Sequence, residues 1–277
     1  MSELRIESDE HRVAVHAARA ARPILVHTAP ADGRPYLHPI EAPDGAGSVT
    51  EDRPGHHPWQ HGLYIGLNDV NGVGFWSEGL APGNAATDGS FASRVLDADE
   101  AAGRASWSVA TDYLDPGGER MFRDRQHWSL RSDDGRLELR LAWTLTADRA
   151  LAFGRYDYGG LFLRMPFRPG AGGSAIDSEG SAGPANRARW VAVTMPLPET
   201  GRVARVALLD HPQNLEHPVP WRIDHQLGVG PSPSIAGPWE LAAGASREFG
   251  YGVVVGGADL TDDEIDARWS AFAKEHG

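Results

Sequence analysis

The sequence predicts an all-β fold: a large antiparallel β-sandwich, with one α-helix at its C-terminal end. Three features predict it. Short apolar runs recur along the whole chain, punctuated by 33 glycines and 20 prolines. In RLELRLAWTLTA, Leu137, Leu139, Leu141, Trp143 and Leu145 alternate strictly with polar or small residues, as a half-buried antiparallel strand requires. No helical period separates the runs, so parallel strands joined by crossover helices are excluded.

Taken in order, RVAVHA, RPILVHT and RPYLHPIE read as strands, the second and third joined through the turn APADG. In NDVNGVGFW, Asn71-Gly72 between valines is a hairpin signal, and Asn71 reads as a type I′ turn residue. RASWSVATDYL, ERMFRDRQHWSLR and RLELRLAWTLTA follow, with turns at DPGG and SDDG. Arg123 and Arg125 alternate with Phe122 and read as a solvated strand face. GLFLRMPF, RWVAVTM, RVARVALLD and REFGYGVVVGG continue the series, while residues 168–189 read as a long small-residue loop. The helix is expected over about 261–275. There Thr261 and Glu264 have capping-box spacing, and Ile265, Trp269 and Phe272 form one apolar stripe.

A chain of 277 residues without an internal repeat or evident linker is expected to form one domain over 1–277. The absence of cysteine excludes disulfides, zinc–thiolate sites and thiol nucleophiles. A formal charge of −12 with no basic stripe argues against nucleic acid as a partner. The polar start MSELRIESDEHR has no apolar signal core, and no run approaches the roughly 20 apolar residues of a membrane span. A cytoplasmic location is therefore expected. There is no phosphate-cradling glycine loop, dinucleotide fingerprint or nucleophile elbow, and no cofactor is predicted.

The candidate chemistry lies with histidine. Four histidines stand directly before proline, at His38, His57, His211 and His217, where chance pairing would give about one; proline holds each in extended geometry. In GHHPWQHG, an extended backbone would turn His57, Trp59 and His61 to one side and Gln60 to the other. Two imidazoles beside an indole face suit a sugar ring, whose apolar face stacks while its hydroxyls meet nitrogen. The rival reading is a divalent metal held by His57, His61 and His38, although no standard ligand spacing is present. A second cluster, LLDHPQNLEHPVPWR, carries Asp210, His211, Asn214, His217 and Trp221. A carboxylate there can orient an imidazole for acid–base work, and ordinary loop hydrogen bonding explains the same residues equally well. Arg164, inside an apolar run, needs a buried partner and reads as a structural ion pair or a substrate contact.

RPYLHPI, HHPWQHGLYIGLNDVNGVGFW, YGGLFLRMP and LLDHPQNLEHPVPW, in that order, resemble the PmoA-like family of soluble bacterial domains of unknown function. The resemblance runs from about Arg34 to the terminal helix, and Gln60 departs from the imidazole common at its position. The family's label names a methane-oxygenase copper subunit of the membrane, which a chain without a span does not fit. The resemblance implies a sugar-related role and a fold similar to the galactose mutarotase sandwiches.

Together these readings predict a carbohydrate-active enzyme. It would use histidine and carboxylate acid–base chemistry on a sugar or keto-sugar as a lyase, hydrolase or isomerase. His57, His61, His211 and Asp210 are the expected catalytic residues, and His38, Trp59, Arg164, Asn214, His217 and Trp221 the expected substrate contacts. This requires the two histidine-rich stretches to converge on one hollow. A non-catalytic sugar-binding module and a histidine-site metalloenzyme are the alternatives.

Overall fold

Alternation along the strands sorts the side chains into one shared core and two outer faces. The computed structural model describes residues 4–275 except 18, 19, 21 and 102. In chain order, the strands open with β1 (Leu4–Ser8), β2 (Arg12–Ala17), β3 (Leu25–Thr28), β4 (Tyr36–Ile40), β5 (Leu63–Val70) and β6 (Val73–Phe75). Four long strands and hairpins follow: β7 (Ser90–Ala101), β8 (Arg104–Leu114), β9 (Arg120–Asp133) and β10 (Arg136–Ala147). Then come β11 (Leu151–Phe153), β12 (Gly160–Leu163), β13 (Ser174–Asp177), β14 (Trp190–Pro196) and β15 (Val203–Asp210). The chain ends with β16 (Trp221–Ile223), β17 (Val229–Pro231), α1 (Pro233–Ala236), β18 (Trp239–Leu241), β19 (Ser246–Gly257) and α2 (Asp262–Phe272).

Among the described residues, all pairings between strands are antiparallel and build two sheets. The first has the order β1-β2-β3-β4-β5-β12-β17-β16, with β6 and β11 also on β5 and β18 on β11. The second has the order β13-β14-β15-β19-β10-β9-β8-β7. Leu63, Ile65, Leu161 and Leu163 of the first sheet meet Trp107, Trp128, Leu139, Leu141 and Val253 of the second in one buried cluster. Tyr64 and Phe162, of opposite parity, fall on the outer face of the first sheet and form a separate aromatic cluster there. On the outer face of the second sheet, Ala192, Ala207, Leu209 and Val254 receive Ile265 and Phe272 of α2. Burying these two side chains stabilises the docked helix by about 1.5–3 kcal/mol each.

The expected architecture is present: two large antiparallel sheets and a C-terminal helix. Asn71 and Gly72 both have positive φ, 51° and 83°, as a type I′ hairpin demands. Thr261 caps α2 by accepting the Glu264 amide hydrogen. The reciprocal arm of a capping box is missing, because the Glu264 carboxylate accepts from Arg136 and Arg268. One reading is corrected. Residues 168–189 contain β13, which pairs with β14 through Ser174↔Thr194 and forms the sheet edge. The flanking glycines and serines hid a four-residue strand. Among the described residues, no helix is long and apolar enough to cross a membrane.

Arg123 and Arg125 do face solvent, which turns Asp124 into the core. Its carboxylate accepts from the Trp143 indole at 2.8 Å, the Tyr113 hydroxyl at 3.0 Å and the Gln126 amide at 3.3 Å. Burial outweighs these bonds and raises the carboxyl from 3.8 to about 6. A raised folded-state pKa adds stability that is fully present below about 3.8 and lost as pH rises through about 6. Relative to Asp124→Asn, the wild type should therefore lose roughly 2–3 kcal/mol between pH 4 and pH 7. Urea unfolding of both proteins at the two pH values checks this; a pH-independent difference contradicts it.

Candidate functional site

The GHHPWQHG stretch is folded by short-range turns. The His57 amide donates to the Pro54 carbonyl and the Gln60 amide to the His57 carbonyl, at 2.8 and 3.0 Å. Arg53 to Gln60 (2.8 Å) and Gly62 to Glu51 (2.8 Å) close the base of the loop. The segment is thus not extended, and the expectation that His57, Trp59 and His61 point one way is corrected. His57, Trp59 and Gln60 line a cleft, while His61 turns beneath it, 1% exposed. Gly62 is required at the end of the loop. Its φ is +35°, and a Cβ there would lie 2.2 Å from the Leu37 carbonyl oxygen.

Two buried guanidiniums hold this loop to the outer face of the first sheet. Arg34 donates to the Trp59 carbonyl at 2.6 Å and the Trp76 carbonyl at 2.9 Å, and stacks over Tyr64 at 4.1 Å. Glu78 supplies its countercharge at 3.7 Å. Burial alone would raise the Glu78 carboxyl, but Arg34 and the hydrogen bond from His61 outweigh it and hold it down at about 2. Arg164, fully buried, donates to Gln60 Oε1 and Asp224 Oδ2, both at 2.7 Å, and to the Gln226 carbonyl at 3.1 Å. Gln60 thus serves this chain as an amide-oxygen acceptor for Arg164.

His61 lies between two carboxylates. Its Nδ1 is 2.5 Å from Asp52 Oδ1 and its Nε2 2.9 Å from Glu78 Oε2, with Tyr36 stacked on the ring at 4.5 Å. A neutral imidazole can donate to only one carboxylate; bonding to both in this way takes a proton on each nitrogen. His38 joins the same region, its Nδ1 at 3.0 Å from the Thr50 hydroxyl, and burial lowers its pKa. Both ring nitrogens of His61 are thus engaged. Among the described residues, no group of three or more His, Asp or Glu side chains is arranged to hold a metal ion.

Above this network lies a cleft of about 130 Å³. Trp76 forms its floor, packed against Tyr158 at 4.2 Å and Phe162 at 5.1 Å. It can lie flat there because Gly66 has no side chain; a Cβ would come 2.6 Å from the indole. Trp59 forms one wall with His57 edge-on at 5.2 Å, and Arg222, Asp224 and His225 form another. Burial, then the nearby Arg164 charge, lowers the His57 pKa below its ordinary 6.5. The ring is therefore mostly neutral at pH 7 and able to accept a proton.

The second cluster is elsewhere. His211 lies over the outer face of the second sheet, against Gly250 and edge-on to Phe272 of α2 at 5.0 Å. Asp210 accepts from Asn214 Nδ2 at 2.6 Å and pairs with His217 Nδ1 at 2.7 Å. His217 stacks on Trp269, whose indole donates to the Asp210 carbonyl at 2.9 Å. Trp221 is wholly within the core, its indole bonded to the Ala188 carbonyl. Beside these residues is a larger cavity of about 550 Å³, and it shares no lining residue with the aromatic cleft. The structure thus groups His38, His57, Trp59, His61 and Arg164 together, and Asp210, His211, Asn214, His217 and Trp221 apart from them. The expectation of one shared hollow does not hold: His57 and Trp59 line the cleft over the first sheet, His211 and Asn214 line the separate larger cavity, and Trp221 lies in the core between the sheets.

Sequence reading missed Arg34, Asp52, Tyr64, Trp76, Glu78, Tyr158, Arg222, Asp224 and His225. Glu78 itself takes φ 53°, a strained backbone that shows only in the folded chain.

Fold and cleft together define an all-β sandwich protein with an aromatic, histidine-bearing cleft on one outer sheet face. The chain belongs to DUF6807, a family of unknown function whose model matches residues 5–270. That match replaces the PmoA-like resemblance, for which these comparisons hold no support. No curated protein matches the chain. Similar solved structures include an α-galactosidase from Lactobacillus brevis, 10% identical with TM-score 0.38, covering 97% of this chain. This chain spans only 41% of that enzyme's length. The Slr1438 protein of Synechocystis is 10% identical with TM-score 0.41, over 93% of this chain and 96% of its own. A candidate aldose 1-epimerase from Klebsiella pneumoniae is 10% identical with TM-score 0.38, over 97% and 85%.

Removing one partner of a buried charge pair costs about 3–5 kcal/mol. Arg164→Leu should lose that amount in urea unfolding, leaving Asp224 buried without its countercharge. Asp210→Ala should cost about 2 kcal/mol and speed hydrogen exchange in α2. Unchanged exchange in α2 would contradict the anchoring role of this group.

Proposed function

We propose that the protein is a carbohydrate-active enzyme whose site is the aromatic cleft on the first sheet. A sugar ring would lie with its apolar face on Trp59, and its hydroxyls would meet His57 and His225. His57 would act as general base, taking a proton from a hydroxyl or from a carbon beside a keto group. The observation that carries this reading is His57 itself: an imidazole kept neutral by burial, edge-on to an indole, at the wall of an open cleft. His61, between Asp52 and Glu78, would fix the loop that carries both residues, and His38 would support it from below. The imidazolium so formed would return the proton, to a neighbouring carbon in isomerisation or to the departing oxygen in elimination; in hydrolysis the proton would be taken from water and passed to the departing oxygen.

Asp210, His211 and His217, expected on sequence grounds at the same centre, would instead anchor the terminal helix. A sugar-binding module is the second reading, and one observation favours it. The carboxylate of the cleft, Asp224, is fully engaged by Arg164 and by the Gln226 and Gly228 amides. It is not free to act as a second proton-transfer group.

NMR assays on free aldoses and 3-keto-glycosides separate the two. For an enzyme, His57→Ala should cut turnover by about 10²–10⁴-fold while binding stays within a few-fold. Trp59→Ala should weaken binding roughly five- to tenfold. A base active in its neutral form predicts a rate that falls on acidification with its midpoint below pH 6.5. Full turnover in His57→Ala overturns the assignment of the base. Binding without turnover across the panel establishes the module.

A further inference from the structure

The cleft contains a cation without a countercharge. Arg222 leaves β16 and lines the cleft wall, its guanidinium 5.9 Å from the Tyr158 ring centre. Among the described residues it has no hydrogen-bond or ion-pair partner. Arg136, Arg187, Arg189 and Arg205 each meet a carboxylate, whereas Arg222 is the one arginine among the described residues lining the cleft. Asp224, two residues further on, cannot neutralise Arg222. Its Oδ2 accepts from Arg164 at 2.7 Å, and its Oδ1 accepts from the Gln226 and Gly228 amides at 2.8 Å each. Asp224 is the one carboxylate among the described residues lining the cleft. The wall therefore carries one uncompensated positive charge in a protein whose formal charge is −12.

We infer that the cleft takes a sugar bearing a carboxylate, a uronic or aldonic acid, with Arg222 forked onto the carboxylate. This inference rests on the reading of the cleft as a sugar site and adds the class of sugar. The guanidinium offers two parallel N–H donors that match the two oxygens of a carboxylate. One unpaired cation balances one negative charge, which fits a carboxylate better than a phosphate dianion. The half-buried position of Arg222 against Tyr158 orients the fork and shields it from bulk water, strengthening the contact. With the carboxylate held there, the ring lies between Arg222 and Trp59, within reach of His57.

Calorimetric titration of the full chain with glucuronate, galacturonate, gluconate, glucose, galactose and glucose 6-phosphate tests this. At least one of the three carboxylates should bind about tenfold or more tightly than glucose and galactose, as a charge-assisted bidentate contact implies. Arg222→Gln should bring that ratio to about one, and Arg222→Lys should restore part of it. Trp59→Ala should weaken acidic and neutral sugars alike, so the ratio survives. Equal binding of acidic and neutral sugars, or a ratio unmoved in Arg222→Gln, overturns the inference and leaves the sugar site standing. Tightest binding of glucose 6-phosphate also overturns it. Failure of every sugar to bind removes the sugar site together with the inference.

Discussion

Two buried guanidiniums decide where the loops around the aromatic cleft lie. Arg34 and Arg164 are almost completely enclosed, each on the outer face of the first sheet. A charge in such a place must be matched by carboxylates and carbonyls, and these come from segments distant in sequence. Arg34 gathers Trp59, Phe75 and Trp76 through their carbonyls and Glu78 through its charge. Arg164 gathers Gln60, Asp224 and Gln226. Residues 51–62 form no named strand or helix; backbone turns and the Asp52↔His61 bridge close the loop, and the two cations hold it against the sheet. The aromatic cleft is the consequence. Trp59, Trp76 and Asp224 become neighbours because their backbones or side chains answer the same two cations.

Much of the fold was legible along the chain. Strict alternation in Leu137–Leu145 placed β10, and Asn71-Gly72 placed the β5–β6 turn, because both signals are local and strong. Short strands such as β13, β16 and β17 were not legible. Their three or four residues carry too little pattern, and they exist only because a neighbouring strand offers an edge. The site divides the same way. His38, His57, Trp59 and His61 stood out by composition and proline spacing. Asp52, Glu78, Asp224 and Arg222 are ordinary charged residues in sequence, and only the folded chain shows which of them are paired. The alternation rule also misled at His57 to His61, since it assumes an extended chain and two successive turns occupy that stretch.

The separation of the two histidine-rich stretches is itself informative. Proline after histidine stiffens a loop for any purpose, and here the two loops serve different ones. Around residues 210–217 the carboxylate, amide and imidazole are spent on one another and on Trp269, which leaves the terminal helix fastened over the second sheet. Around residue 57 the imidazole has no such partner. Its buried Nδ1 has no hydrogen bond among the described residues. A satisfied network is what stability demands, and an unsatisfied group beside a cleft is what recognition can use.

On the proposed function, ligands would bind over Trp59 and Trp76, outside the first sheet. Indole N–H signals report it directly, because tryptophans mark both regions. On titration of the nitrogen-15-labelled protein with glucuronate and with glucose, the Trp59 and Trp76 signals should move with saturation, while those of Trp190 and Trp269 stay in place. Movement of Trp269 with Trp59 and Trp76 unmoved would put the site beneath the terminal helix and contradict the account.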